Sequence, residues 1–199
     1  MITREVLDKR GIYWENRIKI FMTEKVPDDP IIFAGDSLTE RFPLQKYFNE
    51  SYINRGIGGD HADGLVERKE LMGLEKNPKA ILVMAGINDL LFNYQRDQIP
   101  ANIEKFLKYV LEKTPNCTIY VQSICPVSEK QQTTTPAEIQ SVNAELKALA
   151  AKLGAKYLDI YQHLADEKGH IKSEYTVDGV HLSSAAYDIW AELVKQIMA

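Results

Sequence analysis

The chain holds two cysteines, Cys117 and Cys125, in 199 residues. That is too few for a disulfide framework, so stability has to come from a packed core. No apolar run approaches the roughly 20 residues that cross a bilayer. The segment Met1-Ile2-Thr3-Arg4-Glu5 lacks the apolar stretch of a signal peptide, and a cytoplasmic protein is the expectation. Basic residues are outnumbered, 24 against 28 acidic ones, for a net charge of −4. They form no cluster either, which argues against a nucleic-acid surface. No His, Cys and Asp spacing suits a metal ion, so no metal and no cofactor are expected. Linkers, repeats and low-complexity tracts are lacking too, and one domain over residues 1–199 is the simplest count.

What is present is the ordinary balance of a globular protein, 45% hydrophobic and 26% charged. Val6, Leu7, Tyr13, Trp14, Ile18, Phe21 and Met22 recur at helical spacing, predicting one amphipathic helix over 3–24, disturbed at Gly11. Tyr13, Trp14 and Phe21 can pack within the chain or against a second copy, so a homodimer stays open. Apolar runs bounded by glycine and proline then predict five strands: from Ile31, over Ser51–Gly56, over Ala80–Ala85, over Thr118–Ile124 and over Tyr157–Ile160. Helices are expected between them at about 40–48, 62–76, 99–113 and from Pro136 to Leu153, with a last one over Ser184–Met198. A polar loop over 127–135 lies beside the same sheet edge. Strands alternating with helices make a three-layer α/β/α sandwich around a five-stranded parallel sheet. By analogy with small flavodoxin-like folds, the expected strand order is 2-1-3-4-5.

Four short blocks carry chemistry. In Ile31-Ile32-Phe33-Ala34-Gly35-Asp36-Ser37 a buried strand breaks into a helix start, which places the Ser37 hydroxyl at the sheet's carboxyl edge, where open α/β folds react. Taken alone, Ser-Leu-Thr-Glu also fits an N-cap serine. Near the other end, Asp178-Gly179-Val180-His181 precedes the last helix. A histidine, with an ordinary pKa near ~6.5, can take a serine proton at neutral pH, and Asp178 can orient its other nitrogen. An Asp-turn before a helix reads the same way. Gly59, after Gly58, can turn its N–H toward a substrate without Cβ interference, and Asn88 offers a side-chain amide. Either could equally serve only its own turn.

Together these pieces resemble the SGNH-hydrolase (GDSL esterase/lipase) family. The blocks stand in order as Gly35-Asp36-Ser37-Leu38, Gly58-Gly59-Asp60, Gly86-Ile87-Asn88-Asp89 and Asp178-Gly179-Val180-His181. The wording Asn54-Arg55-Gly56-Ile57-Gly58-Gly59-Asp60 is especially similar to the platelet-activating-factor acetylhydrolase subunits of that family. The resemblance implies Ser37 as nucleophile, His181 as base with Asp178, and an oxyanion hole of the Ser37 N–H, the Gly59 N–H and Asn88. It also implies a small-molecule ester as partner. Short loops without a long lid point to short acyl chains, while a carbohydrate O-acetylesterase, a lysophospholipase and a thioesterase stay open. From another class, a non-catalytic flavodoxin-like module with a phosphate over Asp36-Ser37-Leu38-Thr39 also fits, but gives Asp178 and His181 no task. The absence of a Gly-x-Ser-x-Gly elbow takes away the main support for the other common serine-hydrolase layout. Cys125, ending a strand, reads as a buried structural cysteine rather than a thiol nucleophile. His61 borders the candidate pocket. His163 and His170 are expected at the surface, and Phe92 and Tyr94 either wall the acyl pocket or simply pack.

Overall fold

Strand β1 (Ile31–Gly35) is buried along its whole length, because its alternating side chains feed two different cores. We describe residues 10–199 in a computed structural model. β1 pairs in parallel with β2 (Tyr52–Gly56) on one side and β3 (Ala80–Met84) on the other. β4 (Thr118–Gln122) and β5 (Lys156–Leu158) extend the sheet beyond β3, giving the order β2-β1-β3-β4-β5. Helices cover both faces, so the fold is the expected α/β sandwich.

On one face Ile32 and Ala34 pack with Ile81, Val83, Ile119 and Val121 under α6 (Ile99–Lys113) and α7 (Pro136–Lys152). On the other, Phe33, Leu82 and Met84 meet Trp190 and Val194 of α9 (Ser184–Met198). α6 carries a proline in its first turn, and Thr135 and Glu138 form a reciprocal capping box at the start of α7. Such local signals explain why these helices begin where they do. α1 (Ile12–Thr23) packs Trp14, Ile18 and Phe21 onto Ile57, just beyond β2, as a third small cluster.

Several boundaries differ from expectation. α1 starts after Gly11, whose φ of 85° breaks the pattern, and the earlier part of the predicted helix lies outside the described residues. The helix expected at 40–48 is two separate turns. α2 (Ser37–Glu40) starts at Ser37 under an Asp36 cap, and α3 (Leu44–Tyr47) follows Pro43. The helix expected over 62–76 ends as α4 (Ala62–Glu67). Two 3₁₀ turns replace the remainder, separated by Gly73 at φ 87°. β4 stops at Gln122 because Ile124 pairs its N–H and C=O with the Asn143 amide instead of a strand. β5 stops at Leu158, since the Ile160 N–H bonds the Ser123 hydroxyl, and the short α8 (Tyr161–Leu164) follows.

Candidate active site

Two glycines let α2 sit directly on the sheet. A Cβ at Gly35 would overlap the Met84 carbonyl and Thr39, and one at Gly56 would overlap the backbone of Thr39 and Glu40. Asp36 caps α2 by accepting the Leu38 N–H at 2.9 Å. Ser37 is therefore not the cap but the first residue of the helix, largely buried, at the carboxyl end of β1.

His181 arrives from the loop ahead of α9. One Asp178 carboxylate oxygen accepts the N–H groups of Val180 at 3.0 Å and His181 at 2.8 Å. The other lies 2.6 Å from the His181 Nδ1. Thr176 braces the turn, accepting the Gly179 N–H at 2.8 Å and donating to the His181 carbonyl at 2.9 Å. The His181 Nε2 then lies 3.1 Å from the Ser37 Oγ. Partial burial works against ionisation of Asp178, but the bonds from the His181 ring and from the His181 and Val180 N–H groups outweigh it and hold the carboxyl at about 2. An ionised Asp178 is acceptor only, which assigns the proton to Nδ1 and leaves Nε2 to accept from Ser37.

Gly59 lies in the loop between β2 and α4, exposed, with φ 74° and open space where a Cβ would stand. The neighbouring Gly58 packs beside Ser37: a Cβ there would come within 3.9 Å of the Ser37 Cβ. Asn88, at the start of α5 (Ile87–Leu91), donates one amide hydrogen to the Asp60 carbonyl at 2.8 Å. A primary amide carries a second N–H, which stays available to another acceptor. Gly59 and Asn88 thus meet through Asp60, although they come from different sheet connections. A cavity of about 220 Å³ opens beside Gly59, bordered by Tyr13, Trp14, His61 and Tyr94. A larger cleft of about 500 Å³ lies between α7 and the 157–169 stretch and shares no residue with this site.

Other candidates fall outside it. Cys125 is buried, its Sγ 4.0 Å from the Met84 Sδ, and burial pushes its thiol pKa far up. His163 is exposed as expected, but His170 is half-buried. Phe92 does not pack as a simple loop aromatic, being 69% exposed. Tyr94 lies against His61, with ring centroids 4.4 Å apart and the planes tilted by 49°. Sequence reasoning missed the buried charges beneath the site. Arg68, fully buried, donates to Asp60 at 2.8 Å, to the Arg55 carbonyl at 2.6 Å and to the Gly35 carbonyl at 2.9 Å. Burial raises the carboxyls of Asp36 and Asp89 to about 7. The only signal for Arg68 was its place in an otherwise amphipathic stretch, where a charge usually marks the solvated face.

The parallel sheet thus sets a serine at the carboxyl end of one strand, and the loop before α9 brings an imidazole against it. The chain belongs to the GDSL-like Lipase/Acylhydrolase family, whose sequence model matches residues 33–189. A protein of Streptococcus pneumonia described as a platelet activating factor has a similar structure, with a TM-score of 0.84 and 28% identity, covering 94% of this chain and 91% of its own. The acetyl xylan esterase AlAXEase matches with a TM-score of 0.71 over 85% of this chain and 100% of its own. At 18% identity that likeness speaks for the fold alone. Among curated proteins, the N-acylneuraminate cytidylyltransferase of Escherichia coli O18:K1:H7 (strain RS218 / NMEC) is 22% identical over 188 residues, 92% of this chain and 43% of that protein. The chain spans less than half the length of the curated relatives it matches.

Proposed function

We propose that the protein is a serine esterase that removes short acyl groups through an acyl-enzyme. The Ser37 hydroxyl attacks the ester carbonyl while the His181 Nε2 takes its proton, and Asp178 holds the ring and stabilises the imidazolium. The tetrahedral oxyanion is held by the N–H groups of Ser37 and Gly59 and by the Asn88 amide. His181 then protonates the leaving alcohol. Water, activated by the same imidazole, attacks the acyl carbonyl, and the carboxylic acid leaves as Ser37 regains its proton. The observation that supports this most is the unbroken hydrogen-bonded line from Ser37 through His181 to Asp178, at 3.1 Å and 2.6 Å. The test is p-nitrophenyl acetate hydrolysis by wild type and Ser37→Ala. Wild-type turnover that vanishes in the variant supports the reading, and equal rates in both overturn it.

A carbohydrate O-acetyl ester is the natural substrate class we favour within that reaction. Tyrosine and tryptophan side chains beside hydrogen-bonding groups border the cavity at Gly59, a combination that suits a sugar ring. The name N-acylneuraminate cytidylyltransferase, that of a curated relative, also concerns a sugar. A higher kcat/KM on acetylated oligosaccharides than on p-nitrophenyl acetate is expected, and a preference for longer-chain p-nitrophenyl esters would argue against it.

A further inference from the structure

The family match begins at residue 33, so α1 lies outside it, yet α1 reaches the loop that carries Gly59 from two sides. The Gly58 N–H, one residue before Gly59, donates to the Glu40 carboxylate. Glu40 in turn accepts the Tyr13 hydroxyl at 2.5 Å and pairs with the Arg17 Nε at 3.0 Å. One residue after Gly59, the buried Asp60 side chain accepts the Trp14 indole N–H at 3.2 Å. Its backbone carbonyl takes the Asn88 amide. Gly59 itself has no side chain, a left-handed φ and open space around it. Gly58 and Gly59 are the central residues of a turn closed by the Asp60 N–H donating to the Ile57 carbonyl at 3.1 Å, so the direction of the Gly59 N–H follows from how that turn is held.

We propose that Glu40 and Asp60 are positioning residues for the oxyanion hole, and that α1 is a strap on both, holding Asp60 together with Arg68. Glu40 sets the Gly58 side of the loop, and Asp60 sets the Gly59 side together with the Asn88 amide. Oxyanion donors work because they are aimed before charge develops, so loosening them slows turnover without weakening substrate binding. The inference rests on the reading of Ser37, Gly59 and Asn88 given above.

The experiment compares Glu40→Ala, Glu40→Gln, Trp14→Phe and Tyr13→Phe with wild type in p-nitrophenyl acetate hydrolysis, fluorophosphonate labelling and thermal melting. Glu40→Ala removes the acceptor for the Gly58 N–H. Its kcat should fall roughly 10-fold or more, a fraction of the effect of losing a whole donor, with KM within about 2-fold. Labelling of Ser37 should slow in parallel, while the acid limb of the kcat/KM profile, governed by the base, stays in place. Glu40→Gln, which can still accept that N–H, should recover most of the rate. Trp14→Phe keeps the packing on Ile57 but loses the indole donor, and should repeat the kcat effect. Tyr13 is 56% exposed, so Tyr13→Phe leaves the core intact and keeps the test decisive if Glu40→Ala melts early; it too should lower kcat alone. Unchanged kcat in both phenylalanine variants, or losses confined to KM, overturn the inference. A fluorophosphonate label that lands on a residue other than Ser37 would instead strike down the reading of the site.

Discussion

The His181 Nε2 and the Ser37 Oγ stand 3.1 Å apart although 144 positions separate the two residues in the chain. The contact is assembled by two rigid pieces. β1 delivers Ser37 at its carboxyl end, and α9, packed on the same sheet through Trp190 and further tied by the Tyr187 hydroxyl donating to the Leu38 carbonyl at 2.8 Å, brings the loop that bears His181.

Asp178 meets the other ring nitrogen of His181, and among the described residues no further acceptor bonds that nitrogen. Asp178→Asn should therefore lower kcat/KM by roughly 10³-fold or more, close to the loss in His181→Ala, as expected when a ring loses its tautomer. A loss of only a few-fold in steady-state kinetics would mean that another group orients the imidazole.

Removing one oxyanion donor should be visible in turnover alone. Asn88→Ala is expected to lower kcat roughly 10²-fold or more, with melting little changed and Ser37 still labelled by a fluorophosphonate. Unchanged kcat removes Asn88 from the proposed oxyanion hole.

Arg68 is fully buried between the ends of β1 and β2, paired with the equally buried Asp60. Arg68→Leu strands that carboxylate and takes the guanidinium donors from the Arg55 and Gly35 carbonyls, the second of which keeps the Ile57 N–H at 3.0 Å. Chemical denaturation should show a loss of about 3–5 kcal/mol, the cost of breaking one side of a buried pair.

Asp36 and Asp89 connect burial to pH. Desolvation raises both from 3.8 to about 7 in the folded protein, against the bonds they accept from backbone N–H groups. The native state then binds more protons than the unfolded chain across that window. Stability is greatest below the unfolded value and is lost as pH rises through the folded one. Asp36→Asn keeps an acceptor for the Leu38 N–H but cannot ionise. The melting temperature of the variant relative to wild type should be higher at pH 8 than at pH 5, and a difference independent of pH would show that Asp36 keeps an ordinary pKa.

Much of this was legible along the chain, for reasons that are local. α6 and α9 carry apolar residues at helical spacing between clear end signals, and their limits are those expected. β1 and β3 are continuous apolar runs bounded by breakers, as fully buried strands must be. The helix expected over 62–76 failed because Arg68 reads as a solvated charge, whereas it turns inward to the carbonyls of neighbouring strands. Gly73 could be seen as a glycine, but its left-handed conformation could not.

The sequence by itself determined which chemical groups would stand at the ends of strands and in what order: a serine after β1, a glycine after β2, an asparagine after β3 and an Asp-Gly-Val-His turn before the last helix. Periodicity and turn chemistry act over a few residues and need no knowledge of the remainder of the chain. Only the tertiary structure decided that Asp60 would join Gly59 to Asn88, that Glu40 and Trp14 would reach the same loop, and that an imidazole from one end would meet a hydroxyl from the other. Those contacts depend on strand order and on how helices seat against the sheet, which no short stretch encodes.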